Sequence, residues 1–298
     1  MKIAFLISIL LILSASPAIA GEKYLRNDGT EIQHYLDNAT ADNLLVIFQG
    51  SDCNSVRHME SVTTIWQALA PDSALLTIEK YGINDSLLYS SGERDDCPTK
   101  YLQHNTMAQR INDGVQLIDA LKNSYDKVIV AGGSEGGSIA LAVAKRVSGL
   151  HSVLALNSGS SSFQHDIEFS IKQTVPEDQR NEALNGFRQF VARIKQSQEP
   201  FPANVSGHGY AYWKDALERD LLKPLTSIDA PVVVIQSLED KSVDPEQTRR
   251  EINRIISNGA THITLKMLPR LDHGFRDSNG QAQLKSVVEG VSDIINTK

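Results

Sequence analysis

Six short apolar runs, at 44–48, 74–78, 127–131, 152–156, 232–235 and 263–268, constrain this 298-residue chain more than any other feature. Each is too short for a globular helix. Most lack the polar alternation of a strand with one wet face, so they read as strands buried on both sides, the habit of parallel sheets. Between them, 59–69, 106–121, 138–147, 246–256 and 282–295 carry apolar residues at three- and four-residue spacing, the pattern of helices with one buried stripe. Strands alternating with helices imply an α/β fold: a mostly parallel sheet with helices on both faces. Ahead of the first run, Lys23–Arg26 and Glu31–Leu36 flank Asn27-Asp28-Gly29, a hairpin signal that brings the expected strands to eight. The rhythm breaks between Asn157 and Ala230, where helical patterns at 181–194 and 212–222 occur with no clear strand. That interval, about 158–229, reads as a helical cap inserted over one end of the sheet.

The amino-terminal segment sets the expected compartment. Lys2 is followed by an apolar run at 3–13, and then by Pro17 and Ala18-Ile19-Ala20. These are the three parts of a secretory signal, with cleavage expected after Ala20. The apolar run falls well short of the roughly 20 residues of a spanning helix. The expectation is an exported protein, periplasmic or secreted, without a stable membrane anchor and with a mature domain over 21–298. Losing residues 1–20 removes Lys2 from the 29 basic residues and none of the 36 acidic ones, giving a net charge of −8. The remaining basic residues are scattered, so nothing attracts nucleic acid. Cys53 and Cys97 are the only cysteines. In an oxidising compartment an even count reads as a bridge, with two free thiols as the alternative. Their separation and the lack of a CxxC pattern argue against a metal site.

The sharpest chemical signal is Lys127-Val128-Ile129-Val130-Ala131-Gly132-Gly133-Ser134-Glu135-Gly136-Gly137-Ser138. A strand runs into Gly-x-Ser-x-Gly and then into a helix. Small residues let the chain reverse sharply and hold the serine hydroxyl at the sheet edge, beside the positive end of the helix. A phosphate-cradling loop would need Gly-Lys-Ser/Thr or G-x-G-x-x-G, and neither is in register. Two further loops leave strands with suitable partners. His273 follows the run at 263–268, within Asp272-His273-Gly274-Phe275. The loop after 232–235 offers Asp240, with Glu239 and Asp244 as rival carboxylates.

With these pieces in view, the chain resembles the α/β-hydrolases, near their small esterase and prolyl-oligopeptidase-like branches. The resemblance covers essentially all of 21–298. It rests on Gly132-x-Ser134-x-Gly136, on Pro231-Val232 leading to Ser237-x-x-Asp240-x-x-Val243, and on Asp272-His273-Gly274-Phe275, in the family's order of serine, acid, histidine. It implies Ser134 as nucleophile, His273 as base and Asp240 as the acid. It also implies an oxyanion hole from the N–H groups of Glu135 and Ser51, with no metal or organic cofactor. Gln49 stands where the family usually has histidine beside the oxyanion loop, and Ser237 where it often has glycine. The family's strand order places the loops carrying Cys53 and Cys97 at one sheet edge, where a disulfide would join them. The implied reaction is cleavage of a small-molecule acyl ester through an acyl-enzyme. A prolyl-oligopeptidase-like peptidase and a catalytically silent binding protein are the other two readings. Phe201, Tyr210, Tyr212 and Trp213 in the cap are read either as an acyl-pocket wall or as the insertion's own core.

Overall fold

The structure, a computed structural model, describes residues 23–92 and 94–296, so the signal expected at 1–20 lies outside the described residues. Seven strands form one sheet among them: β1 (His34–Asp37), β2 (Asn43–Phe48), β3 (Ala74–Ile78), β4 (Lys127–Gly133), β5 (Ser152–Leu156), β6 (Val232–Ser237) and β7 (Ile263–Leu268). Their spatial order is β1-β3-β2-β4-β5-β6-β7, and every neighbouring pair is parallel except β1 with β3. The six apolar runs are all strands, within two residues of their expected ends. The helices are α1 (Thr99–His104), α2 (Met107–Leu121), α3 (Glu135–Ala144), α4 (Phe163–Thr174), α5 (Glu177–Gln196), α6 (Tyr210–Ala216), α7 (Pro245–Ser257) and α8 (Leu284–Asn296).

Side chains alternate across the strands, so each strand feeds two cores. Val46, Val130, Val153 and Val234 pack beneath α2, α3 and α7, while Ile47, Ile129, Leu154 and Val233 pack beneath α8 and the segment 56–69. The helix α8 contributes Val288, Val291 and Ile295 to that second core. It is also laced to distant backbone. Ser292 Oγ and Asn296 Nδ2 each donate to Leu69 O at 2.9 Å, and Ser152 Oγ donates to Ile295 O at 2.9 Å.

Two expectations need correction. The Asn27-Asp28-Gly29 turn forms, but its first arm makes only one bridge, Leu25 to Glu31, so the expected eighth strand is missing from the sheet of described residues. Arg26 explains the departure. Its guanidinium pairs with Asp113 of α2 at 2.8 Å and lies over the Tyr81 ring, which ties the arm to a helix instead of the sheet edge. The helix expected at 59–69 is three irregular turns: a 3₁₀ turn at Val56–His58, a π turn at Ser61–Ile65 and a 3₁₀ turn at Trp66–Leu69. Four successive β-branched residues, Val62-Thr63-Thr64-Ile65, resist a regular α-helix there.

Between β5 and β6 lie α4, α5 and α6, in the interval that reads as helical and strand-free. The helix α4 is additional to the expected pieces. Phe163, Ile167 and Ile171 give it a one-sided apolar stripe, and Ser162 caps its first turn. The preceding Ser160-Ser161-Ser162 run conceals it by resembling a loop. No helix among the described residues is long and apolar enough to cross a membrane.

Candidate active site

In a parallel sheet the carboxyl ends of the strands share one edge, and the loops after β2, β4, β5, β6 and β7 converge there. The turn from β4 into α3 carries Ser134 at φ 53° and ψ −131°, a conformation that costs a non-glycine residue free energy and thrusts the hydroxyl outward. The motif's glycines are required by close packing. A Cβ on Gly136 would lie 2.0 Å from Phe48 O, and one on Gly132 would lie 2.3 Å from Gly136 O. Only without those carbons can α3 start directly against the end of β2. Glu135 opens α3, so its N–H has no carbonyl partner within the helix.

His273, in the loop after β7, meets this serine. Its Nε2 lies 3.0 Å from Ser134 Oγ and its Nδ1 lies 2.8 Å from Asp240 Oδ2. The Asp240 side chain is fully buried, and its other oxygen accepts the N–H groups of Ser242 and Val243 at 2.7 and 2.9 Å. Gln236 Nε2 donates to Asp240 Oδ2 at 3.1 Å. The rival carboxylates lie elsewhere. Glu239 is exposed, and Asp244 caps α7 through the N–H groups of Glu246 and Gln247, each at 3.0 Å. Asp244 also pairs with His165 at 2.9 Å. Sequence reasoning missed Asn157, which follows β5 at φ 45°. Its amide donates to His273 O at 2.9 Å and accepts the Ser237 N–H at 2.7 Å, clamping the histidine loop to the acid loop.

The loop after β2 passes against the nucleophile, with the Cβ position of Gly50 only 3.8 Å from Ser134 Cβ. Cys53 in this loop is bonded to Cys97, their Cα atoms 6.0 Å apart, so the two loops after neighbouring strands are stapled. Behind the loop lies a buried polar cluster with no counterpart in the sequence reading. Arg110 of α2 pairs with the Glu135 side chain, which also accepts from Tyr212 Oη. Burial pushes the Glu135 carboxyl upward, but Arg110 and Lys80 outweigh it and hold the group below the ordinary glutamate value. Lys80 is fully buried and donates to Asp52 O; burial lowers its ammonium to about 8 despite the attraction of Asp52. His208 stacks on Tyr212 at 3.7 Å, its Nδ1 is 3.1 Å from Tyr101 Oη, and burial lowers it to about 4.

A cavity of about 570 Å³ opens over Ser134 and His273. Ser51, Ser134 and Glu135 border it, and Phe163, Phe187, Tyr212 and Trp213 of the cap form an aromatic wall. Tyr212 and Trp213 are also buried members of the first core, so they pack into the main core beneath the sheet and not into a core of the insertion's own. Phe201 and Tyr210 pack on each other, with ring centroids 5.0 Å apart. Among the described residues no group of three His, Cys, Asp or Glu side chains could hold a metal ion.

A model of the prolyl oligopeptidase family matches residues 99–289. Among solved structures, the chain is similar to Est1E from Butyrivibrio proteoclasticus, with 15% identity, 91% of this chain and 96% of that chain covered, and a TM-score of 0.57. It is similar to acetyl xylan esterase 1 from Thermoanaerobacterium sp. JW/SL YS485, with 15% identity, 92% and 82% covered, and a TM-score of 0.57. The acylaminoacyl peptidase of Pyrococcus horikoshii gives 12% identity and a TM-score of 0.56, covering 92% of this chain but 40% of the peptidase. By sequence, no curated protein matches the chain.

Proposed function

Because this chain belongs to the prolyl oligopeptidase family and is a serine hydrolase of the α/β-hydrolase fold, we propose that it cleaves small acyl esters through Ser134, His273 and Asp240. The observation that carries this reading is the unbroken hydrogen-bonded line from Ser134 Oγ through the imidazole to the buried Asp240 carboxylate. Ser134 Oγ attacks the acyl carbon and its proton passes to His273 Nε2. Asp240 holds the tautomer with the proton on Nδ1 and stabilises the imidazolium. The N–H groups of Glu135 and Ser51 receive the oxyanion. Collapse of the tetrahedral intermediate breaks the bond to the alcohol oxygen, which takes the proton from Nε2. Water, deprotonated by the same nitrogen, then releases the acid and restores Ser134. A largely apolar cavity of about 570 Å³ with an aromatic wall suits an acyl or aryl group.

The test is hydrolysis of short-chain p-nitrophenyl esters together with fluorophosphonate labelling. Both should occur in the wild type and vanish in Ser134→Ala. Activity that survives Ser134→Ala would remove the assigned nucleophile, and absence of both signals in the wild type would favour a silent binding scaffold. Family membership also supports a peptidase reading, since the same groups cleave amides. Aminoacyl naphthylamides hydrolysed faster than esters would favour it. Export completes the proposal: intact mass of protein from the native host should begin at Gly21.

A further inference from the structure

The loop that carries the Ser51 N–H is held from behind through its carbonyl oxygens. Arg110 Nη2 donates to Gln49 O at 2.6 Å, Tyr101 Oη donates to Ser51 O at 3.3 Å, and Lys80 Nζ donates to Asp52 O. In a trans peptide the C=O and the following N–H point in opposite directions. The unit bearing the Ser51 N–H, between Gly50 and Ser51, therefore lies between two peptide planes that are each fixed by a buried donor. Resting on the proposed hydrolase reading, we infer that Lys80, Arg110 and Tyr101 are positioning residues that set the oxyanion hole by fixing the backbone of residues 49–52.

The composition of the cluster supports a positioning role over a purely stabilising one. Lys80 and Arg110 are 1% and 5% exposed, and they share the space with Glu135 at 8%. Burying such ions is costly, and apolar side chains of similar volume would commonly stabilise as well or better. What a planar guanidinium and an ammonium supply is direction. Arg110 grips Glu135, the residue that provides one expected oxyanion N–H, and Gln49 O, beside the residue pair that provides the other. One side chain thus ties the two halves of the hole to each other. Gln49 and Asp52 add a second brace within the loop, with Gln49 Nε2 donating to Asp52 Oδ1 and to Asn54 O, both at 2.9 Å.

Lys80 makes the arrangement sensitive to pH. It faces Asp52 in its own loop contact, Glu79 beside it on the chain, Arg110 from α2, Glu135 from α3 and His208 from the cap segment. Neutral lysine keeps its stem but holds Asp52 O more weakly, so the hole should loosen as Lys80 loses its proton.

Kinetics with a p-nitrophenyl ester across pH 6 to 10 test this on wild type, Lys80→Arg, Lys80→Met and Tyr101→Phe. Wild-type kcat should fall reversibly on the alkaline side with unchanged circular dichroism. Lys80→Arg should move that limb beyond the range, because arginine stays charged. Lys80→Met should lower kcat about 10- to 100-fold at neutral pH with KM nearly unchanged, the signature of a misplaced transition-state donor. Tyr101→Phe removes one oxygen, keeps the fold, and should lower kcat by roughly 3- to 10-fold. An alkaline limb that is identical in Lys80→Arg, or Tyr101→Phe with wild-type kcat at every pH, overturns the inference while Ser134-dependent hydrolysis stands. If the wild type shows no Ser134-dependent hydrolysis, both readings fall together. Should Lys80→Met not fold, the wild-type, Lys80→Arg and Tyr101→Phe profiles decide alone.

Discussion

Three carboxylates stand within six positions of one another after β6, yet their surroundings give them different work. Asp240 is sealed from water and aimed at His273, whereas Asp244 spends its oxygens on the first turn of α7 and on His165. Asp240→Asn should lower kcat by about four orders of magnitude with the fold retained, since the imidazole loses the anion that selects its tautomer. Asp244→Asn should leave kcat within a few fold and the melting temperature nearly unchanged, because asparagine caps a helix about as well as aspartate. Steady-state kinetics and thermal melts on the two variants check both outcomes, and a reversed order would move the acid to Asp244. Ser134, Asp240 and His273 were legible because each follows an apolar strand in a recognisable local pattern. Asn157 was not. Its partners, Ser237 and His273, lie 80 and 116 positions away, and a lone asparagine after a strand reads as an ordinary turn residue. The same holds for Lys80, Arg110 and Tyr101, whose side chains act on backbone atoms that no sequence motif marks.

Elements that are buried on both faces announce themselves, and those that owe their shape to tertiary contacts do not. The six strands of the apolar runs were readable from those short runs, although polar residues such as Thr77, Lys127, Gln236 and Lys266 lie within them. The irregular turns at 56–69 were misread because the β-branched run at 62–65 overrides their helical spacing. The first arm of the hairpin and α4 were misread or missed because a neighbour decides the conformation, Asp113 for the arm and the acid loop for α4. The last link is explicit, because Asp166 in the first turn of α4 accepts the N–H groups of Ser160 and Asp244 at 2.8 and 3.2 Å. The disulfide belongs to this scale too. It joins the loops after β2 and β3, which are adjacent in the sheet, and closes a loop spanning 44 positions. On the chain-entropy model it should contribute about 4 kcal/mol. Replacing both cysteines by serine should therefore lower the denaturant midpoint. It should also reduce kcat, because Cys53 anchors the far end of the oxyanion loop; urea titrations and ester kinetics read the two effects separately.

For the whole molecule, two buried bases act on stability at opposite ends of the pH scale. His208 has its proton affinity lowered from 6.5 to about 4 by burial. Between those values the unfolded chain takes up a proton that the folded protein refuses, so this contribution to stability is present above 6.5 and is lost as pH falls toward 4. The melting temperature should decline over that window, and His208→Gln should flatten the decline. Lys80 is depressed from 10.5 to about 8, so by the same rule its contribution to stability grows from about 8 upward, just where the oxyanion loop is expected to slacken. Alkaline inactivation and alkaline unfolding should thus separate experimentally. A different consequence follows from α8. Its hydrogen bonds to Leu69 span 223 and 227 positions, and its apolar stripe closes the second core against strands from the middle of the chain. Contacts this remote cannot form until the end of the chain is present, so the face beneath α8 is expected to close late. Until residues 284–296 dock, Ile129, Leu154 and Val233 lie under a greasy trough open to dyes and to other chains. A protein cut after Gln283 should accumulate as a compact species that binds anilinonaphthalene sulfonate, keeps its far-ultraviolet circular dichroism and lacks a cooperative melt.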